Sequence, residues 1–161
     1  MTPAELKTTR ESLGLSVAWL AERAGVQERT VRYWESGHMP VPADVAQLIE
    51  AVDSSIENGV SLFRKGFAAA REAAGRLPAD RDKILLIRYR TDEELWAFRP
   101  DMRGLPATCH AALISRVRRA LWAEGIPSTI QFMDPRAYHD WLAGREDTES
   151  MRSAWAGSLP E

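Results

Sequence analysis

Residues 15–37, LSVAWLAERAGVQERTVRYWESG, decide the architecture of the first third of the chain. Ser16 stands where a helix N-cap is needed. Ala18, Leu20 and Ala21 then form the small or apolar inward set of a helix over residues 17–24. Gly25 follows, and glycine turns the chain through positive φ without steric cost. Val26, just after that turn, is suited to plugging the gap between two helices. Residues 27–34 give the next helix, with Thr30, Val31 and Trp34 on its inner side, and Gly37 ends it. Gln27, Glu28, Arg29, Arg32 and Tyr33 are left on its outer face.

Upstream, Thr2-Pro3-Ala4-Glu5 has capping-box spacing with proline at the first helical position. Leu6, Thr9, Arg10 and Leu13 continue at helical spacing, and Gly14 supplies a stop. Two short helices around a glycine turn, the second polar outside and apolar inside, are the pattern of a DNA-binding helix-turn-helix. A small helical bundle without a ligand has the same spacing.

The residue types favour the first alternative. Leu20-Ala21, the Ala24-Gly25-Val26 turn, Thr30-Val31 and Trp34-Glu35 followed by Gly37 occur in the order that resembles the Cro/repressor-type (XRE) helix-turn-helix family. The resemblance implies that Gln27, Glu28, Arg29, Arg32 and Tyr33 enter the major groove, with Ser16 among the DNA contacts. Arg29 and Arg32 suit bidentate pairing with guanine, and Gln27 suits adenine. Glu28 can accept from cytosine or hold Arg32 at i,i+4. Tyr33 suits a phosphate or a thymine methyl group. Val17 departs from the family, which often has glutamine there to hold the phosphate backbone. Trp34 and Glu35 read as structural, and Trp19 as an edge residue packing on a fourth helix.

That fourth helix opens at Pro42-Ala43-Asp44, with Val45, Leu48, Ile49, Val52 and Ile56 as its apolar stripe. The pattern continues through Leu62, Phe63 and Phe67 to about residue 77, with either a break near residues 57–59 or one long imperfect helix. Residues 83–90, KILLIRYR, read as a strand. Thr91-Asp92-Glu93-Glu94 starts a short helix to Phe98, and residues 100–106 form a loop. A helix over residues 107–123 carries Ala111, Leu113, Ile114, Val117, Leu121 and Trp122 as its core set. Residues 128–133 are a second strand, and Asp134-Pro135 caps a last helix. The expected fold is α+β, with an all-α helix-turn-helix domain over residues 1–56 and a helical connector over residues 57–77. A β-α-α-β-α dimerisation domain over residues 78–144 and a loosely held tail over residues 145–161, docked at most by Trp155, complete it. Two strands alone are marginal, so pairing across a two-fold axis is expected. One helix-turn-helix reads few base pairs, which also favours a homodimer on an inverted repeat.

Tyr33 to Gly37, Val41-Pro42-Ala43-Asp44-Val45 and the Trp96 to Asp101 segment resemble a narrower group of phage and bacterial regulators with a C-terminal dimerisation domain. Some of that group are anti-CRISPR-associated autorepressors. Residues 134–161 have no counterpart in it.

The net charge of −2 and pI of about 6.0, taken as averages, oppose nucleic-acid binding. The average conceals three segments. Residues 1–59 hold 5 Lys+Arg against 9 Asp+Glu, residues 60–122 hold 13 against 7, and residues 123–161 hold 3 against 7. The surplus acid of the first segment falls after residue 36, away from Arg29 and Arg32. Arg88 and Arg90 share one strand face and Arg116 and Arg119 one helix face, giving candidate phosphate patches for flanking DNA or RNA. A solvated helix face with local ion pairs is the plainer reading of the same arginines.

One cysteine excludes an internal disulfide framework, and no apolar run reaches the ~18 residues of a membrane span. A cytoplasmic protein is expected. Cys109 and His110 are helix neighbours pointing apart, a poor nucleophile–base pair. His38, His110 and His139 lack metal-ligand spacing. No catalytic residue, metal or cofactor is expected. Two rival functions remain: an antitoxin-like regulator that binds a protein partner, and a repressor sensing a small molecule among Trp96, Phe98, Trp122, Phe132 and Trp141.

Overall fold

The computed structural model describes residues 1–74 and 84–159. Four helices come first: α1 (Pro3–Ser12), α2 (Val17–Ala24), α3 (Glu28–Ser36) and the long α4 (Ala43–Ala74). Strand β1 (Ile84–Arg88), helix α5 (Asp92–Phe98), a 3-10 turn (Pro100–Met102) and helix α6 (Ala107–Ala123) follow. Strand β2 (Ser128–Phe132) and helices α7 (Pro135–Leu142) and α8 (Glu149–Ala156) complete the order. The fold is α+β: a helical N-terminal region, then a small domain of two parallel strands and helices.

Local chemistry sets the helix ends. Glu5 N–H donates to Thr2 Oγ1 at 3.2 Å, and Thr2 N–H donates back to Glu5 Oε2 at 2.6 Å, closing a capping box. Ser16 Oγ accepts from Trp19 N–H and caps α2. Gly25 (φ 66°) and Gly37 (φ 78°) end α2 and α3 in the left-handed region, which side chains other than glycine seldom enter. Leu6, Leu13, Leu20, Val31, Trp34 and Ile49 are the buried centre of the N-terminal unit. Ala18, expected inward, is exposed instead, because Leu20 and Ala21 already fill the buried side of α2.

Helix α4 is continuous through residues 57–59. Gly59 suits that place because α6 lies against it, and a Cβ there would stand 3.1 Å from Leu113 Cδ1. Leu62, on the expected apolar run, is exposed. The expected end of the run at residues 77–80, the boundary at residue 78 and the strand's first residue, Lys83, lie outside the described residues.

β1 and β2 run parallel, Ile84 opposite Ser128 and Arg88 opposite Phe132. Parallel neighbours need a long crossover, which α5 and α6 supply. α6 packs along α4 and on both strands. Leu86, Leu95, Val117, Leu121, Met133 and Tyr138 form the buried centre of this half.

Three expectations for this half are corrected. Trp122 is 80% exposed, not core, because it lies about 100° around α6 from buried Leu121. α7 is not the last helix. The tail over residues 145–161 is not loose where α8 lies: Trp155 is 2% exposed and its ring meets Tyr138 edge-on at 5.4 Å.

The two halves are tied at several points. Trp19 Nε1 donates to Gly104 O at 2.9 Å, so this indole reaches the loop before α6. Arg23 Nη2 donates to the same carbonyl at 2.7 Å. Thr108 Oγ1 donates to Gly14 O. Arg116 on α6 bridges Asp53 and Glu57 on α4 at 2.8 and 2.6 Å.

Candidate nucleic-acid interface

The outer face of α3 is carried by a buried ion pair behind it. Arg10, in the apolar stripe of α1, donates from Nε to Glu35 Oε1 at 2.5 Å and from Nη2 to Glu35 Oε2 at 3.2 Å. Its Nη1 donates to Leu15 O at 2.7 Å. One guanidinium thus joins α1, α3 and the residue preceding the cap of α2. This agrees with the structural reading of Glu35 from sequence. Arg10 was missed as its partner, and its place between Leu6 and Leu13 is the signal that could have found it.

In front of that anchor, Gln27, Glu28, Arg29 and Arg32 are exposed and Tyr33 is half-buried. Gln27 is the N-cap of α3 and makes no side-chain cap bond. Glu28 and Arg32 pair at 2.6 Å. Arg29 Nε donates to the Tyr33 hydroxyl at 2.5 Å, and its guanidinium lies 5.0 Å from that ring's centroid. Glu28 therefore adopts the second of its two expected roles in the free protein, holding Arg32. Exposed i,i+4 pairs are worth only about 0.3–0.5 kcal/mol, so both arginines can exchange these partners cheaply. Ser16 is exposed at the start of α2. Its oxygen is used by the cap, while its hydroxyl proton can still be donated outward.

Residues 4–59 match a family model described as a helix-turn-helix domain. This region is a helix-turn-helix domain. It points to a DNA-binding regulator. No curated protein matches the chain.

The helix-turn-helix domain therefore holds all of Ser16, Gln27, Glu28, Arg29, Arg32 and Tyr33. The other expected cations lie in the second half, and of the two pairs foreseen one comes together and one does not. Arg116 and Arg119 do not act as one face: Arg116 turns toward α4 to meet Asp53 and Glu57, whereas Arg119 is exposed. Arg88 and Arg90 do converge. Their guanidiniums lie 5.6 and 4.7 Å from the ring centroid of Phe132. Arg90 Nη1 also donates to Met133 O.

The five aromatics suggested as a ligand pocket are dispersed. Trp122 faces solvent, and Phe132 lies under Arg88 and Arg90. Phe98 meets Tyr89 and Tyr138, Trp141 stacks on Tyr138, and Trp96 Nε1 donates to Leu105 O. A groove of about 620 Å³ lies elsewhere, between α4 and the end of α6, lined by residues that include Glu57, Val60, Arg64 and Glu124.

Cys109 and His110 are both buried. Burial pushes the Cys109 thiol up to about 11, which removes the thiolate a nucleophile needs. Burial, joined by the nearby Arg99 and Arg88 charges and opposed by Asp101, pushes His110 down to about 4. Among the described residues no group of three or more His, Cys, Asp or Glu could hold a metal ion. No helix among them is long and apolar enough to cross a membrane.

Proposed function

We propose that the protein is a homodimeric XRE-type repressor that reads an inverted repeat, in or near its own promoter, through α3. The supporting observation is the outer face of α3, where Arg29 and Arg32 stand exposed on a helix held from behind by the Arg10–Glu35 pair. In the complex Arg29 and Arg32 leave Tyr33 and Glu28 for guanine edges, Gln27 reads adenine, and Glu28 is released to accept from cytosine. Ser16 and Tyr33 contact the phosphate backbone and set the register of α3. Arg88 and Arg90, which converge over Phe132, add phosphate contacts outside the half-site. With a net charge of −2, non-specific affinity is low and base contacts dominate.

Selection of bound duplexes from a random pool tests this. A palindrome is expected, with Arg29→Ala and Arg32→Ala each relaxing preference at a matched pair of positions by about 1–3 kcal/mol. Recovery of no motif removes the proposal. The double variant Arg88→Ala/Arg90→Ala is expected to weaken all sequences alike and to flatten the salt dependence. An unchanged salt slope removes the flanking contacts while leaving the reading by α3 in place.

A further inference from the structure

The hydrogen bonds at the two ends of the sheet show which backbone groups of β2 are used. Ile84 N–H donates to Pro127 O at 2.9 Å, and Met133 N–H donates to Arg88 O at 2.8 Å. Alternate residues of a strand point their N–H and C=O to the same side. Residues 127, 129, 131 and 133 therefore face β1, and Ser128, Ile130 and Phe132 direct their N–H and C=O outward. Those outward groups meet no partner among the described residues.

The side chains at the same positions are also uncovered. Ile130 is 37% exposed and Phe132 is 47% exposed. The strand STIQF contains no charge and no proline. Edge strands that stay solitary carry such devices, so this edge is built without protection against pairing. The outward backbone groups of β1, on Leu85 and Ile87, likewise meet no partner among the described residues, but α8 packs against β1, its side chains there are half-buried and it ends in Arg88, so β2 is the more exposed and uncharged edge.

We propose that β2 is the seam of the homodimer, pairing antiparallel with β2 of a second copy across a two-fold axis through Ile130. This rests on the dimeric reading given above. A second copy is the occupant that the strand itself specifies. Antiparallel pairing centred on Ile130 sets Ile130 against Ile130 and the large Phe132 against the small Ser128, twice over by symmetry. All three outward residues then fall at hydrogen-bonded sites, which gives about six new backbone bonds. The two sheets merge into one of four strands, β1-β2-β2-β1. No charge on either strand opposes the approach.

Two variants of the full chain test the seam. Ile130→Cys places two thiols on the axis, with Cα atoms about 5.5 Å apart, within reach of a disulfide. Mild oxidation is expected to give a covalent dimer, whereas Gln131→Cys, on the opposite sheet face, gives none. The native Cys109 is fully buried and does not compete. Ile130→Pro deletes the central outward N–H and spares the ladder to β1. It is expected to weaken self-association by about tenfold or more in sedimentation, with helical content unchanged. A wild-type dimer that Ile130→Cys does not cross-link overturns the seam, as does a wild-type chain that stays monomeric at every concentration. Neither result bears on whether α3 selects a DNA motif. A dimer that cross-links but selects no DNA leaves the seam standing and removes the repressor.

Discussion

Arg10 and Arg88 are both drawn into the protein, one in each half, and they are provided for differently. All three nitrogens of the Arg10 guanidinium have named acceptors, two of the bonds going to Glu35 and one to Leu15 O. Arg88 keeps a buried Nε without a hydrogen-bond partner and rests its guanidinium on Phe132. The first is a closed junction of α1, α3 and the residue preceding the cap of α2, and it backs the α3 surface proposed to meet DNA. The second lies beside an open strand edge and joins no helix through its guanidinium among the described residues. His110 Nδ1 is likewise buried and unpartnered in the second half. Buried polar groups specify the N-terminal unit; in the C-terminal unit two of them are merely tolerated.

The largest effect expected from this contrast is at Glu35. Glu35→Ala strands the Arg10 charge in the interior and should cost about 3–5 kcal/mol in urea unfolding. Arg10→Met combined with Glu35→Leu should restore most of that loss. A small effect of Glu35→Ala would show that the junction is not what holds α3.

Next comes acid sensitivity in the other half. The unfolded chain protonates His110 near 6.5, the folded protein only near 4. As pH falls between these values the unfolded state binds the proton first, so stability is lost, by on the order of 3 kcal/mol at most. His110→Leu should flatten this stretch of the pH–stability curve. An unchanged slope would place the titration elsewhere.

Gly14→Ala tests the contact between the halves. Its φ is +67°, and a Cβ would stand 2.5 Å from Thr108 O, which is backbone and cannot swing away. A loss of about 1–3 kcal/mol in thermal or urea unfolding is expected. The smallest effect belongs to Arg88→Met, which removes an unsatisfied Nε and keeps an apolar stem. It should change stability by less than about 1 kcal/mol. A loss as large as that of Glu35→Ala would erase the distinction between the two arginines.

The N-terminal unit was legible because its signals are local. Thr2, Ser16, Gly25 and Gly37 act on neighbours within one turn, so α1 to α3 could be placed from short stretches. The outer face of α3 followed from helical periodicity alone. The misplaced residues are those whose partners are distant in sequence. Trp19 meets Gly104, and Arg116 meets Asp53 and Glu57, none of which its own helix can announce. Trp122 was assigned inward as a large apolar residue, although its position around α6 already set it apart from Leu121. α8 was hidden by a polar, Ser-rich composition, and the burial of Trp155 against Tyr138, with Ala156 buried beside it, accounts for its docking.

The bonds from Trp19, Arg23 and Thr108 have a last consequence. They tie α2 and the turn after α1 to the C-terminal half, which in the proposed dimer carries the two-fold axis. In the proposed dimer the pair of α3 helices would then work as a fixed gauge. One base pair inserted between half-sites shifts the far site by about 3.4 Å and turns it by roughly a tenth of a helical turn. A tethered pair of heads would follow that displacement. The proposed dimer would have to let go of one half-site, so operator spacing would be specified as strictly as operator sequence.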